Sequence, residues 1–361
     1  MVTGNRPRPS DVVDDGLDDG SRARLASWLC TALAAAVSPD DIRVSVPGGG
    51  WSNDTWIVTT GLRGPARVVV RVQPQRQGMF PVYDLGRQIA VLRALECEPR
   101  VPTPVVLADD LGGSALGRAA FVMTYTEGRA PSDDRPTFAE AGWLHDADAE
   151  DQRHFHRQLL GAMARVHTVD VDAGGLASLR PPPGVSSNVV AVDELERIWR
   201  FDRGDRHPAV VDDGFEAVRR SMPDPLHQCL LWGDARPANV LCAAAGFDIV
   251  AVLDWELATV GTPEVELTWL AEMNWMRMQG AGLERLPGFL SDDEAAAFYR
   301  EISGRSLADL GWYRKLAALR VAVLMHRYLR AMVHLGRLPA DHALLTETVA
   351  TRRLRSLTGV G

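Results

Sequence analysis

Lysine is almost missing from this chain: Lys315 is the single one in 361 residues, and the other basic side chains are arginine. Any role that usually falls to a lysine must here be played by arginine or be absent. Cysteine is scarce too. Cys30, Cys97, Cys229 and Cys242 stand far apart with no C-x-x-C pair, so neither a disulfide framework nor a thiolate zinc site is signalled. Reduced core thiols in a cytoplasmic protein are expected. Long apolar runs are lacking: the longest, Leu25 to Val37, is too short to span a bilayer. The N-terminus, MVTGNRPRPSDVVDDGLDDGS, is polar and acidic and has no apolar h-region of a signal peptide. A basic stripe is absent and the net charge is −8, which argues against a nucleic-acid partner.

What is present describes a soluble globular protein, with 46% hydrophobic and 24% charged residues and a length that suits one large domain or two lobes. Residues 1–20, rich in Asp, Gly and Pro, read as a disordered arm. From Ser21 a helix is expected, with Leu25, Trp28, Leu29, Ala32, Leu33 and Ala36 on one face. Three strands follow at Ile42 to Val46, Thr55 to Thr60 and Arg67 to Val72. Between the first two lies PGGGWSND, whose Gly48, Gly49 and Gly50 permit close approach of backbone N–H groups to an anion, with Ser52 and Asn53 as added donors. Glycines between strands also simply make hairpin turns.

A helix from Leu85 to Leu95 and a strand pair at Val105 to Ala108 and Ala120 to Tyr125 complete a β-rich segment. The linker-like TEGRAPSDD marks the boundary between an N-terminal lobe, residues 21–127, and a mostly helical C-terminal lobe, residues 128–361. Within the latter, helices are expected near Phe138, over Asp151 to Val169, Val192 to Phe201, Gly214 to Met222, from Ser291, over Trp312 to Leu335 and over Asp341 to Leu357. His145, His154, His156 and His167 lack the spacing of a metal site and are expected to be solvated or capping. Glu264, Glu272 and the acids at 292–294 are expected in solvent.

The stretch LLWGDARPANVLCAAAGFDIVAVLDWELATVGTPEVELTW carries the chemistry. Asp234 and Asn239 are spaced D-x-x-x-x-N, and Asp254 ends the apolar strand IVAVLD. Phosphoryl transfer needs a carboxylate for the attacking hydroxyl, oxygen ligands for Mg2+ and a cation on the moving phosphate. Asp234 fits the first role, Asn239 and Asp254 the second, and Arg236 the third. Each feature alone could be structural, a turn at Asp234 to Pro237 or a cap at Asp254. A metal-dependent hydrolase using the two acids would need further ligands at matched spacing.

GDARPANVL followed by VLDWELATVGTPEVELTWL resembles the aminoglycoside phosphotransferase-like family of small-molecule kinases, related to choline kinase. PGGGWSNDTWIV is similar to its glycine-rich strand–turn–strand, FVMTYTEGR to its hinge and LLGAMARVHTVD to its first C-lobe helix. The resemblance implies an α+β, bilobal, protein-kinase-like fold, with a small antiparallel N-lobe, a larger helical C-lobe, and ATP or GTP in the cleft against the backbone near Met123 and Tyr125. It implies Mg2+ and a small-molecule hydroxyl acceptor. Arg71 stands where the family has its phosphate-holding lysine and Gln88 where it has a helix glutamate. Trp232 replaces a His or Arg two residues before the catalytic Asp, Thr262 the Asp of a Gly–Asp–Pro turn, and Glu266 a supporting Asp. Gln88, Trp232 and Thr262 also suit a nucleotide- or metabolite-binding module without turnover.

Overall fold

The computed structural model describes residues 17–47, 53–64, 66–75, 78–172 and 175–360. They form two compact units. One holds the residues up to Cys97 together with Thr103–Glu127; the other holds Glu98–Pro102 and everything from Gly128 onward.

The first unit opens with α1 (Asp19–Leu33), whose first turn is capped by the Asp18 carboxylate accepting from the Ser21 N–H, one of the donors a helix start leaves without a partner. The helix starts ahead of Ser21 and ends at Ala34, which takes a left-handed φ of 48°. Ala36 therefore lies past the helix and not on its apolar face. Strands β1 (Arg43–Ser45), β2 (Asp54–Thr59) and β3 (Arg67–Val72) precede α2 (Leu85–Glu96), and β4 (Val106–Asp110) and β5 (Ala120–Thr124) follow it. The sheet runs β1-β2-β3-β5-β4 with every neighbour antiparallel. Val68, Val70 and Val72 are buried while the residues between them are not, the period-two signature of a strand with one face on a core. They pack with Trp56, Val58, Ala120 and Val122 against Leu25 and Leu29 of α1. Helix α2 buries Leu85, Ile89, Leu92 and Leu95, which fall on a single helical stripe.

The second unit is mostly helical. Helices α3 (Ala149–Val166), α4 (Ser187–Phe201) and α5 (Ala209–Arg220) lead to four short strands, β6 (Cys229–Leu231), β7 (Val240–Cys242), β8 (Ile249–Val252) and β9 (Thr259–Gly261). These pair as two ribbons, β6 with β9 and β7 with β8. Then come α6 (Pro263–Arg277), α7 (Asp292–Ser303), α8 (Leu310–His334) and α9 (Val349–Thr358). Trp199, Phe215, Trp269, Trp312, Tyr313 and Leu319 belong to a shared core; full burial of such side chains is worth about 1.5–3 kcal/mol each. The helix expected from Ser291 is α7, and Ser291 and Glu294 close a capping box on it.

Several expectations are corrected. No helix forms near Phe138; that segment is a series of turns, with Phe138 stacked on Phe289 at 6.0 Å. The last helix starts only at Val349, because Thr348 and Thr351 make a capping box there. His156 and His167 are buried, not solvated. Burial pushes His156 down to about 3 and keeps it neutral; its Nδ1 accepts from the Leu290 N–H at 3.0 Å. Glu264 and Glu272 are buried as well, and burial raises Glu272 to about 6 despite Arg353 beside it. Only Cys229 and Cys242 are core thiols, with Cys242 pushed up to about 12 by burial, whereas Cys97 is exposed. Among the described residues no helix is long and apolar enough to cross a membrane.

Candidate active site

Strand β6 delivers the chain into the turn that bears Asp234. Gly233 adopts φ 92°, and a Cβ there would stand 2.1 Å from the Leu257 carbonyl oxygen, so no residue with a side chain fits without moving backbone. The turn sets the Asp234 carboxylate among three donors. Trp269 Nε1 donates to Oδ1 at 3.0 Å, while Arg236 Nε at 2.8 Å and Asn239 Nδ2 at 2.7 Å donate to Oδ2. A carboxylate has about four acceptor positions, and one therefore remains. Asn239 also donates to the Asp234 main-chain carbonyl, so both contacts are made by Nδ2 and the amide is fixed.

Arg236 lies between two carboxylates. Its Nη1 pairs with Asp133, which also accepts from Arg277 Nε at 2.6 Å. Burial works against the Arg236 charge, but Asp234 and Asp133 outweigh it and raise its pKa. Burial likewise opposes ionisation of Asp133, and Arg236 and Arg277 overcome it. The guanidinium is charged and held beside Asp234.

Asp254 follows β8 and has φ 63°, a left-handed backbone that costs an L-residue roughly 1–2 kcal/mol and that Asp tolerates better than most. The main-chain N–H of Leu253 donates to the Asn239 carbonyl at 2.8 Å, so the Asp254 strand end is tied to the Asn239 loop. Trp232 reinforces the tie. Its indole Nε1 donates to the Leu253 carbonyl at 2.7 Å, and its ring packs on Trp255 with centroids 6.0 Å apart. The support that a His or Arg at this position would give is thus supplied by an indole. Glu266 supports the turn from below: its carboxylate accepts from the backbone N–H of Trp232 at 3.3 Å and of Gly233 at 2.5 Å, and pairs with His167 Nε2 at 2.8 Å. His167 is in turn held by the Tyr299 hydroxyl at 2.7 Å.

The second unit therefore brings Asp234, Arg236 and Asn239 into direct contact and ties the Asp254 strand to them. In the first unit, Asn53 is buried at the entry to β2, Arg71 sits on β3 opposite Thr55 and Phe121, and Met123 on β5 opposite Val69 and Val106. Tyr125 follows β5, with the Arg67 guanidinium 4.2 Å over its ring. Gly49, Gly50 and Ser52 lie outside the described residues. Asp133, Arg277, Trp269 and His167 were not singled out from sequence as site residues. Trp269 could have been, since it stands three residues past Glu266, which is one turn along the same helix face; Asp133 and Arg277 reach the site from far along the chain with no spacing signal.

Magnesium takes oxygen ligands and is commonly held by one or two carboxylates completed by substrate phosphates and water. Among the described residues no group of three or more His, Cys, Asp or Glu is gathered for a metal. Asn239 Oδ1 and the Asp254 carboxylate are a donor set that suits an ion arriving with phosphate ligands, not an all-protein cage.

The model of the phosphotransferase enzyme family matches residues 43–301. Among curated relatives, a probable acyl-CoA dehydrogenase, IBR3, of Arabidopsis thaliana is 26% identical over 294 residues, 76% of this chain and 34% of that protein. Acyl-CoA dehydrogenase family member 11 of Gallus gallus is 25% identical over 258 residues, 71% of this chain and 31% of that protein. The chain spans about a third of the length of these relatives. Among solved structures, a Ralstonia eutropha JMP134 protein assigned as an aminoglycoside phosphotransferase has a TM-score of 0.68 at 20% identity, covering 93% of this chain and 95% of that one. A thermostable mutant of aminoglycoside phosphotransferase APH(4)-Ia, with ADP and hygromycin B, has a TM-score of 0.56 at 15% identity, covering 93% and 99%. At these identities the structures establish the fold, which is the expected α+β protein-kinase-like one. With the family model covering most of the sequence, the chain belongs to the phosphotransferase enzyme family, and the expected enzyme class, phosphotransferase, is that of its family.

Proposed function

We propose that the chain is a small-molecule kinase that moves the γ-phosphate of ATP or GTP to a hydroxyl of a small acceptor. The observation that supports this most is the Asp234 carboxylate, fixed by three donors with one acceptor position left. In the reaction the acceptor oxygen bonds to the γ-phosphorus and the bond from that phosphorus to the bridging oxygen breaks. The nucleoside diphosphate leaves, and the hydroxyl proton passes to Asp234. Arg236 would meet the charge on the moving phosphoryl group. A magnesium ion, when bound through Asn239 and Asp254, supplies neutralisation of phosphate charge. Asn53, Arg71, Met123 and Tyr125, with Gly49, Gly50 and Ser52, would form the nucleotide-binding set; the nucleotide lobe would be residues 21–127 and the catalytic lobe residues 128–361.

Two acceptor classes follow from the comparisons. Hygromycin B, in the APH(4)-Ia complex, stands for one. The acyl-CoA dehydrogenase names of relatives at 25–26% identity, above the 15% of that complex, favour a hydroxylated acyl thioester as the other. The test is transfer of labelled γ-phosphate from ATP or GTP, with Mg2+, to a panel containing both classes. Wild type should label one of them, and Asp234→Asn should lower kcat by about 10³-fold or more without loss of folding. Nucleotide that raises thermal stability while no acceptor is labelled would point instead to a binding module.

A further inference from the structure

We propose that Arg320, on α8, is a positioning residue for the catalytic turn. The inference rests on the phosphotransfer reading above, in which Asp234 receives the acceptor hydroxyl. One guanidinium touches the turn from two sides. Its Nη2 donates to the Gly233 carbonyl at 2.7 Å, on the residue that precedes Asp234. Its Cζ lies over the indole of Trp269, 3.9 Å from the ring centroid, and that indole N–H is the donor to Asp234 Oδ1. The main chain that carries the carboxylate and the group that aims it are both in contact with the same cation.

The cost of keeping Arg320 there speaks for a role. Burial lowers its pKa, with Asp234, Glu266 and Glu194 as the carboxylates that oppose this, and among the described residues it forms no salt bridge. Arg320 keeps some exposure, but a partly buried charge without a directly paired carboxylate still carries a desolvation cost that a leucine joining α6 to α8 would not. What a leucine could not do is satisfy Gly233. That carbonyl belongs to a left-handed turn, outside the β6–β9 ladder that ends at Leu231. Lysine could reach the carbonyl but has no planar face for the indole, whereas arginine does both. Trp269 and Arg320 belong to neighbouring helices, so the α6–α8 pair acts as the rigid frame and Arg320 as its link to the turn.

Three variants test this: Arg320→Lys, Arg320→Ala and Trp269→Phe. Each is measured for melting temperature, for kcat and KM, and for the indole N–H resonances of ¹⁵N-labelled protein, with the Trp269 signal assigned by its loss in Trp269→Phe. Arg320→Ala should lower kcat about 10²-fold, the scale of an ångström-size misplacement, with nucleotide KM changed by less than about threefold. Arg320→Lys should fall between it and wild type, and added guanidinium should restore part of the Arg320→Ala activity where sodium chloride of equal ionic strength does not. In both Arg320 variants the Trp269 resonance should move. Wild-type turnover in folded Arg320→Lys and Arg320→Ala overturns the proposal, and so does an unmoved Trp269 resonance in Arg320→Lys. If Arg320→Ala does not fold, Arg320→Lys carries both readouts. If wild type transfers no phosphate, the phosphotransfer reading fails, and the Trp269 resonance alone then decides whether Arg320 orients the turn.

Discussion

Two turns of the second unit depart from the family pattern, and they handle the departure differently. At the catalytic turn, Trp232 stands in place of a His or Arg, and every consequence is absorbed: its N–H reaches the Leu253 carbonyl, its backbone N–H reaches Glu266, and its ring packs on Trp255. At the start of α6, Thr262 stands in place of an Asp and nothing is absorbed. It is the N-cap of the helix, yet its side chain makes no capping bond, and its hydroxyl is buried without a hydrogen-bond partner among the described residues. The first turn carries Asp234, the carboxylate proposed to react, and the second starts the helix that bears Glu266 and Trp269. Substitution is compensated at the turn that bears Asp234 and left uncompensated at the N-cap of α6.

The comparison can be broken most severely at Glu266. Its carboxylate takes the N–H groups of Trp232 and Gly233 and the His167 ring, so Glu266→Ala strands three buried donors together. The expected loss is about 3–5 kcal/mol, the scale for removing one partner of a buried charged network. Chemical denaturation of the variant measures it. A loss below 1 kcal/mol, in any units of the fit, would mean that the turn does not depend on the compensation described, since that is the size of a single ordinary hydrogen bond, about 1 kcal/mol.

Much of this was readable from the chain. The strands β2 and β3 were legible because they are rich in β-branched residues, and the Asp234–Asn239–Asp254 set was legible because its members sit on one short loop and one strand end. The contacts that hold them were not. Trp269 and Arg277 from α6, Arg320 from α8 and Asp133 from the irregular segment before α3 act across the second unit, and no local spacing links them to the Asp234 loop. At Trp232 the sequence implies that stacking or packing must replace the lost imidazole, and the ring does pack on Trp255; the indole bond to the Leu253 carbonyl was not readable, since it depends on where β8 ends. His156, Glu264 and Glu272 were misread for a related reason: a polar residue on a helix looks solvated until the packing of its neighbours is known.

The smallest effects decide the comparison, because the two turns predict opposite signs. Trp232→Phe keeps a benzene ring but deletes the pyrrole part of a fully buried indole together with the donor to the Leu253 carbonyl, so it should destabilise by more than the bond's net worth of about 1 kcal/mol, the rest being the cavity left behind. Thr262→Val removes a hydroxyl that bonds to nothing described. A threonine at an N-cap normally contributes about 1 kcal/mol through its capping bond, but here that bond is absent, and the extended backbone at Thr262, φ −97° and ψ 145°, accepts valine without strain. Exchanging an unsatisfied buried hydroxyl for a methyl group removes a desolvation cost, so stability should stay level or rise by up to about 1 kcal/mol. Paired melting curves read both variants. A drop for Thr262→Val equal to that of Trp232→Phe would mean the Thr262 hydroxyl is bonded in solution, through ordered water, and that both turns are compensated after all.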